Sequence, residues 1–260
     1  MTLETTMKTD PDPQNLLQGL GKLGFRTAND ALAAFLTHAH KSRLGPTETL
    51  EQLIALERRA RETTNLARRT RAACLGKFKP LDRFDWSHPR KIDRALMDRL
   101  FGLQFIGKFQ NVLLRGPSGV GKTMLSKNLG LAALTAGHSV RFGTLATVLA
   151  DLLQQESIPA FERRMKRYVR PNLLILDELG YLPCDSRAAD ILYNLVSRRH
   201  ESRSTVITTN LPFKQWSNVF PGAASVVALV DRFAQHCHRV DIEADSWRDV
   251  HAFDRDEPVS

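Results

Sequence analysis

The pattern of apolar and polar positions changes character once along the chain. Residues 1 to 13 are polar, contain Pro11 and Pro13, and read as a frayed lead-in. From Leu16 to about Ala73 apolar residues recur at helical spacing in three segments, interrupted at Arg26-Thr27 and at Leu44-Gly45-Pro46. The third segment is expected to start at about Thr47, a candidate N-cap with Glu51 nearby, and to run through LEQLIALERRARETTNLARRTRA. No strand-like run intervenes, so a small all-α region is predicted. Phe78-Lys79-Pro80 and Phe84-Asp85-Trp86 mark a linker, and a further helix is predicted across residues 90 to 100.

From Asn111 onward the texture is different. NVLLR, HSVRFG, NLLILD, STVITT and HRVDIE are short β-rich runs, each separated from the next by helical sequence. Strands that alternate with helices predict a parallel sheet with helices on both faces. The expected fold class is therefore α/β, with residues 1–78 as a basic helical N-terminal domain and 79–260 as the domain that carries the sheet.

Composition adds bounds. The 260 residues are 42% hydrophobic, enough to fill a core. The formal net charge of +9 points toward a polyanionic partner, most simply nucleic acid. Cys74, Cys184 and Cys237 are scattered without a C-x-x-C pair, which encodes neither a disulfide framework nor a four-cysteine zinc site. The lead-in MTLETTMKTDPDPQ has no apolar signal core, and no stretch approaches the roughly 18 apolar residues of a membrane span. A soluble cytoplasmic protein with no membrane partner is the expectation.

Candidate chemistry begins at the first strand. Gly116, Pro117, Ser118, Gly119, Val120, Gly121, Lys122 and Thr123 have the G-x-x-x-x-G-K-[ST] spacing, between a strand and a helix. The glycines let successive backbone N–H groups turn inward onto phosphate oxygens, and the following helix adds its positive N-terminal end. Lys122 supplies a point charge to the β- and γ-phosphates, and the Thr123 hydroxyl a hard ligand for Mg²⁺. About fifty residues on, Leu173-Leu174-Ile175-Leu176-Asp177-Glu178 reads as a buried strand ending in two acids. Asp177 would hold the Mg²⁺ shell, and Glu178 would orient or deprotonate water. Together these predict ATP and Mg²⁺ as cofactors and ATP hydrolysis as the activity.

Other positions leave two readings open. Asn210, after the strand Ser204–Thr209, either holds the attacking water or forms a turn before Leu211-Pro212. Arg232 is either a finger that reaches the γ-phosphate of a neighbouring subunit or half of a surface pair with Asp231. Arg198 and Arg199 compete for the finger role, and also read as solvated helix ends or DNA contacts. His236-Cys237-His238 resembles a metal cluster but lacks a third ligand at a recognisable spacing, which disfavours zinc.

Residues 57 to 79 hold eight Lys or Arg against two Glu. A solvated helix face usually mixes signs, so Arg58, Arg59, Arg61, Arg68, Arg69 and Arg71 are candidate contacts to duplex DNA, made to the phosphate backbone and largely independent of sequence. A second run, from Arg163 to Arg170, has five bases and no acid. It reads either as the lining of a DNA path in an assembly or as an ordinary amphipathic helix that packs Met165 and Val169.

GPSGVGKT, LLILDELGYLP, YNLVSRRHESRSTVITTNLPFKQWSNVF, and ALVDRF followed by DSWR resemble the IstB family of insertion-sequence transposition helpers. The run from LEQLIALERRARETTNLARRTRA through FKPLDRFDW is similar to that family's helical region, so the resemblance spans about residues 15 to 248. It implies an AAA+ ATPase of the initiator and helicase-loader branch, without a substantial lid. Such a protein would assemble with ATP on duplex DNA as a homo-oligomer, deform the target and recruit a cognate transposase. By position, it makes Asn210 the first sensor and Arg232 the trans-acting finger. Around Arg248, where a second sensor would stand, Glu243-Ala244-Asp245-Ser246-Trp247-Arg248-Asp249 is more acidic than the family pattern. The rival reading is a replicative helicase loader. It would be expected to carry a helicase-docking N-terminal domain, and the absence of an N-terminal cysteine cluster favours the helper. A DNA-binding module with a vestigial ATPase is disfavoured by the undegraded catalytic positions.

Overall fold

The structure, a computed structural model, describes residues 13–180 and 185–247. It divides into two compact units, residues up to Arg68 and residues from Arg69, with the division inside a helix.

Among its described residues the first unit has only helices as regular structure, α1 (Pro13–Lys22), α2 (Asn29–Lys41) and most of α3 (Pro46–Ala73). Helix α3 opens at Pro46, one residue before the expected cap at Thr47, because the fixed φ of proline suits the first helical position. One carboxylate ties this unit together. Glu57 on α3 is 7% exposed and accepts hydrogen bonds from Arg26 N at 2.9 Å, Thr27 N at 3.0 Å, Thr27 Oγ1 at 2.8 Å and Arg61 Nε at 2.6 Å. Burial pushes its carboxyl up, but the bonds from Arg61, Arg26 and Thr27 outweigh burial and hold its pKa at about 2.

The second unit begins with a 3₁₀ turn at Leu81–Arg83, followed by α4 (Arg94–Phe101) and α5 (Gln104–Gly107). Helix α4 starts later than residue 90 because the Asp93 carboxylate caps it, accepting from Leu96 N at 2.8 Å. The sheet follows, with β1 (Asn111–Arg115), α6 (Lys122–Thr135), β2 (Val140–Thr144), α7 (Leu145–Leu153), α8 (Ile158–Val169) and β3 (Leu173–Leu179). Helix α9 (Ser186–Arg199), β4 (Ser204–Thr209), a second 3₁₀ turn at Phe213–Gln215, α10 (Trp216–Val219), α11 (Ser225–Ala234) and β5 (Cys237–Asp241) complete it.

The five strands are all parallel in the order β2-β3-β4-β1-β5. The alternation of side chains along β3 assigns its neighbours. Leu174 and Leu176 join a buried cluster with Leu192, Trp216 and Phe233. Ile175 points the other way, toward α6, where a Cβ on Gly130 would lie 2.9 Å from its Cδ1. Burial on both faces explains the apolar runs of β1 and β3, whereas the edge strands β2 and β5 are only partly buried and carry polar residues. Because β4 lies between β1 and β3, its C-terminal end projects between the phosphate loop and the paired acids.

Candidate nucleotide-binding site

The loop from Gly116 to Gly121 joins β1 to α6, at the carboxyl end of the sheet where ligands of open parallel sheets bind. Gly119 has φ +78° and Gly121 φ +90°, a left-handed conformation that side-chain-bearing residues rarely adopt. Space forbids a side chain there as well. A Cβ would stand 2.4 Å from Ser246 Oγ at Gly119 and 2.6 Å from the Phe84 ring at Gly121. The loop is held between the linker at residue 84 and the segment that follows β5, and Trp247 N donates to Gly119 O at 3.3 Å.

Lys122 is 6% exposed, and its Nζ donates to Gly116 O at 2.7 Å and Pro117 O at 2.6 Å. Burial lowers its pKa to about 8, against the upward pull of Asp177 and Glu178. Thr123 Oγ1 donates to Asp177 Oδ2 at 2.8 Å, joining the first turn of α6 to the end of β3. A hydroxyl and a carboxylate at this separation form a hard-oxygen pair that suits Mg²⁺, so the residues present fit the ion.

Sequence reasoning missed Thr208. Its hydroxyl donates to Asp177 Oδ1 at 2.5 Å and accepts from Glu178 N at 3.0 Å, and it is fully buried. The pairing of β3 with β4 slips between Leu176 and Leu179, and Glu178 has φ +64°. Bulges re-aim side chains beside functional sites. Here the bulge leaves Asp177 buried and turns Glu178 to the exposed side. The signal available in the sequence was the buried-strand run Ser204–Thr209, in which only Val206 and Ile207 are apolar and hydroxyls fill the end nearest the site. Asn210 is exposed just past β4, and its Oδ1 would be 3.2 Å from a Cβ on Gly180.

Arg232 is exposed on α11, with its guanidinium 5.7 Å from the Tyr193 ring centroid. Among the described residues no ion pair joins it to Asp231, and no hydrogen bond links it to Lys122, Thr123, Asp177 or Glu178. The competing arginines are engaged elsewhere. Arg198 pairs with both Glu162 oxygens at 2.6 and 2.7 Å. Arg199 is 1% exposed and donates to the carbonyls of Tyr168, Val169, Pro171 and Ser204. Neither the solvated helix end nor the DNA contact holds for Arg199, because its guanidinium satisfies the turn before β3 from inside. Arg248, and Tyr181 to Cys184 within the ELGYLP stretch, lie outside the described residues.

Of the α3 candidates, Arg58, Arg59, Arg61, Arg68 and Arg71 are exposed, and Arg61 is also bound to Glu57 and to Gly24 O at 3.1 Å. Arg69 is half-buried, with Nη2 3.4 Å from Leu134 O. Among the described residues no group of three or more His, Cys, Asp or Glu is placed to hold a metal ion, and no helix is long and apolar enough to cross a membrane. His238 bonds Gln110 Oε1 at 2.9 Å.

A family model described as IstB-like ATP binding protein matches residues 18–254. The chain belongs to this family. Among curated relatives, a Pseudomonas aeruginosa protein named as an ATP-binding protein of insertion sequence IS21 is 33% identical, over 88% of this chain and 86% of its own. A Bacillus thuringiensis subsp. berliner protein named for insertion sequence IS232 is 32% identical, over 90% of this chain and 94% of its own. Among solved structures, DnaI superposes with a TM-score of 0.51 at 17% identity, over 64% of this chain and 89% of that one. The replication initiator DnaA, in a structure with AMPPCP and single-stranded DNA, gives 0.51 at 16% identity, over 63% and 52%. At these identities the structural likeness is one of fold, and it agrees with the P-loop AAA+ architecture. Family membership makes the chain an IstB-like ATP-binding protein, and the solved structures add the fold alone.

Proposed function

We propose that this chain hydrolyses ATP in a Mg²⁺-dependent reaction, in an assembly on duplex DNA that recruits or activates a transposase. The carrying observation is the junction of Lys122, Thr123 and Asp177 beside an outward-turned Glu178. Lys122 offsets phosphate charge, and the backbone N–H groups from Gly119 to Thr123 orient the chain of phosphates. Thr123 and Asp177 would hold Mg²⁺, which supplies charge neutralisation on the β- and γ-phosphates when bound. Glu178 accepts the proton of the attacking water, and Asn210 orients that water from the tip of β4. Arg232 reaches the γ-phosphate bound by an adjacent subunit. DNA is held through phosphates by the exposed arginines of α3, with little base reading.

A replicative helicase as client is the rival, and the insertion-sequence names of the relatives favour the transposase. The test is phosphate release with and without duplex DNA of unrelated sequences, followed by capture of purified transposase or helicase on the ATP-bound assembly. Stimulation by any duplex and capture of the transposase are the expected results. Equal turnover without DNA, or capture of the helicase alone, would contradict the reading.

A further inference from the structure

Helix α8 carries two opposed faces. Met165 and Tyr168 are buried and Phe161 is half-buried against the core cluster, at spacings of four and three. Arg163, Lys166, Arg167 and Arg170 are exposed, at spacings of three, one and three. At 3.6 residues per turn these four fall within an arc of about 100° and extend over about 10 Å of axis. Two of the acids near the helix are already taken, while Glu156, just before its first turn, is exposed. Glu162 is held by Arg198, and Asp151 accepts from Arg164 at 3.1 Å and from Tyr168 Oη at 2.5 Å. Among the described residues no acid lies within 4 Å of the four outward bases, although Lys166 is near enough to Glu162 to help lower its carboxyl.

The face is also shaped and anchored. With Ser139 and Pro171 the four bases line a groove of about 510 Å³. Ser139 and Pro171 lie just before β2 and β3, at the amino ends of the strands, whereas the phosphate loop lies at the carboxyl ends. A seven-residue strand separates the two ends by roughly 20 Å, so the groove is not part of the nucleotide site. Arg199 fixes the turn that ends α8 by donating to three of its carbonyls, and Asn172 Oδ1 accepts from Ser139 N at 3.0 Å and Ser139 Oγ at 2.7 Å. The cationic face therefore stands on a rigid base.

Its chemistry selects the partner. The four side chains are flexible cations, and the aromatic residues of α8 point inward, so the face offers no platform for stacking unpaired bases. Ile158, in the first turn of α8, is 80% exposed but lies off the arc of the four bases, which itself presents no exposed aromatic or apolar anchor of the kind that dominates protein interfaces. About 10 Å of duplex axis presents about three phosphates per strand and about six in all, enough to engage four bases. We propose that the outer face of α8 is a second phosphate-backbone contact for duplex DNA, carried by the ATPase unit. It rests on the reading of the protein as DNA-binding and adds a surface that α3 does not supply.

The test uses the full chain saturated with ATP, with fluorescence anisotropy on duplexes of unrelated sequence from 50 to 200 mM salt. Arg167→Ala/Arg170→Ala should make the slope of log K against log salt shallower by roughly 2, equally on every sequence, at unchanged nucleotide affinity. Arg167→Glu/Arg170→Glu should weaken binding further. Arg58→Ala/Arg59→Ala/Arg68→Ala is the comparator. If the α3 variant changes the slope and the α8 variants do not, the α8 contact is overturned while DNA binding stands. If the unaltered protein does not bind duplex, both readings fall. If the α8 variants lose polyglutamate and keep DNA, the face belongs to an acidic protein and the proposal is wrong.

Discussion

At the scale of the residue, Lys122 and Thr208 carry distinct expectations. Lys122 is buried with a pKa near 8, well below the ordinary lysine value, so in the folded protein its charged form is disfavoured. The sign follows from linkage. Below about pH 8 the protonated ammonium costs stability, and that cost is relieved as pH rises toward the unfolded value of 10.5. Phosphates pull the proton back, so nucleotide affinity should hold below pH 8 and fall above it, by up to about tenfold per pH unit. Titration calorimetry from pH 7 to 9.5 in two buffers of different ionisation heat would show proton uptake appearing above pH 8. Thr208 positions the acids and touches no substrate. Thr208→Val should weaken Mg²⁺-dependent nucleotide binding by about 10- to 100-fold and Thr208→Ser should restore it, since the hydroxyl is what holds Asp177. Equal loss in both variants, or no change in the Mg²⁺ titration with Val, would contradict that role.

At the scale of the element, the helical unit depends on one carboxylate. Glu57→Gln removes the charged acceptor of Arg26, Thr27 and Arg61 and should cost about 1 to 3 kcal/mol, read by urea unfolding followed through helicity. Because the folded pKa is depressed to about 2 from 4.5, this stabilisation is present above pH 4.5 and is lost as pH falls toward 2. Acid titration of the Gln variant should lack that step. Strands β1 and β3 and the phosphate loop were legible because burial on both faces of a parallel sheet imposes apolar runs, and because the turn at Gly119 and Gly121 tolerates no side chain. The bulge at Asp177-Glu178 was not legible, since a register slip depends on the partner strand and Thr208 read only as a β-branched strand residue. The interior role of Arg199 was hidden for a similar reason. An arginine at a helix end looks solvated until the carbonyls of a distant turn are folded onto it.

At the scale of the whole molecule, the account places hydrolysis between subunits. Arg232 is exposed and joined to none of the site residues of its own chain, as a finger serving a neighbour would be. Arg232→Ala should bind ATP and lose about 10³-fold in turnover. Mixed on DNA with Lys122→Ala, it should recover part of the activity, because some interfaces then pair an intact pocket with an intact arginine. A mixture that co-assembles and stays inactive would assign the finger elsewhere. The central claim is that the junction of phosphate loop and paired acids performs the hydrolysis, and Glu178→Gln tests it most directly. Nucleotide binding and phosphate release are measured on the same preparation with Mg²⁺ and duplex DNA. The account predicts ATP bound as tightly as by the unaltered protein, with phosphate release lost and the DNA assembly long-lived, because the amide keeps the size of the carboxylate and cannot take the proton. Unchanged phosphate release would contradict it.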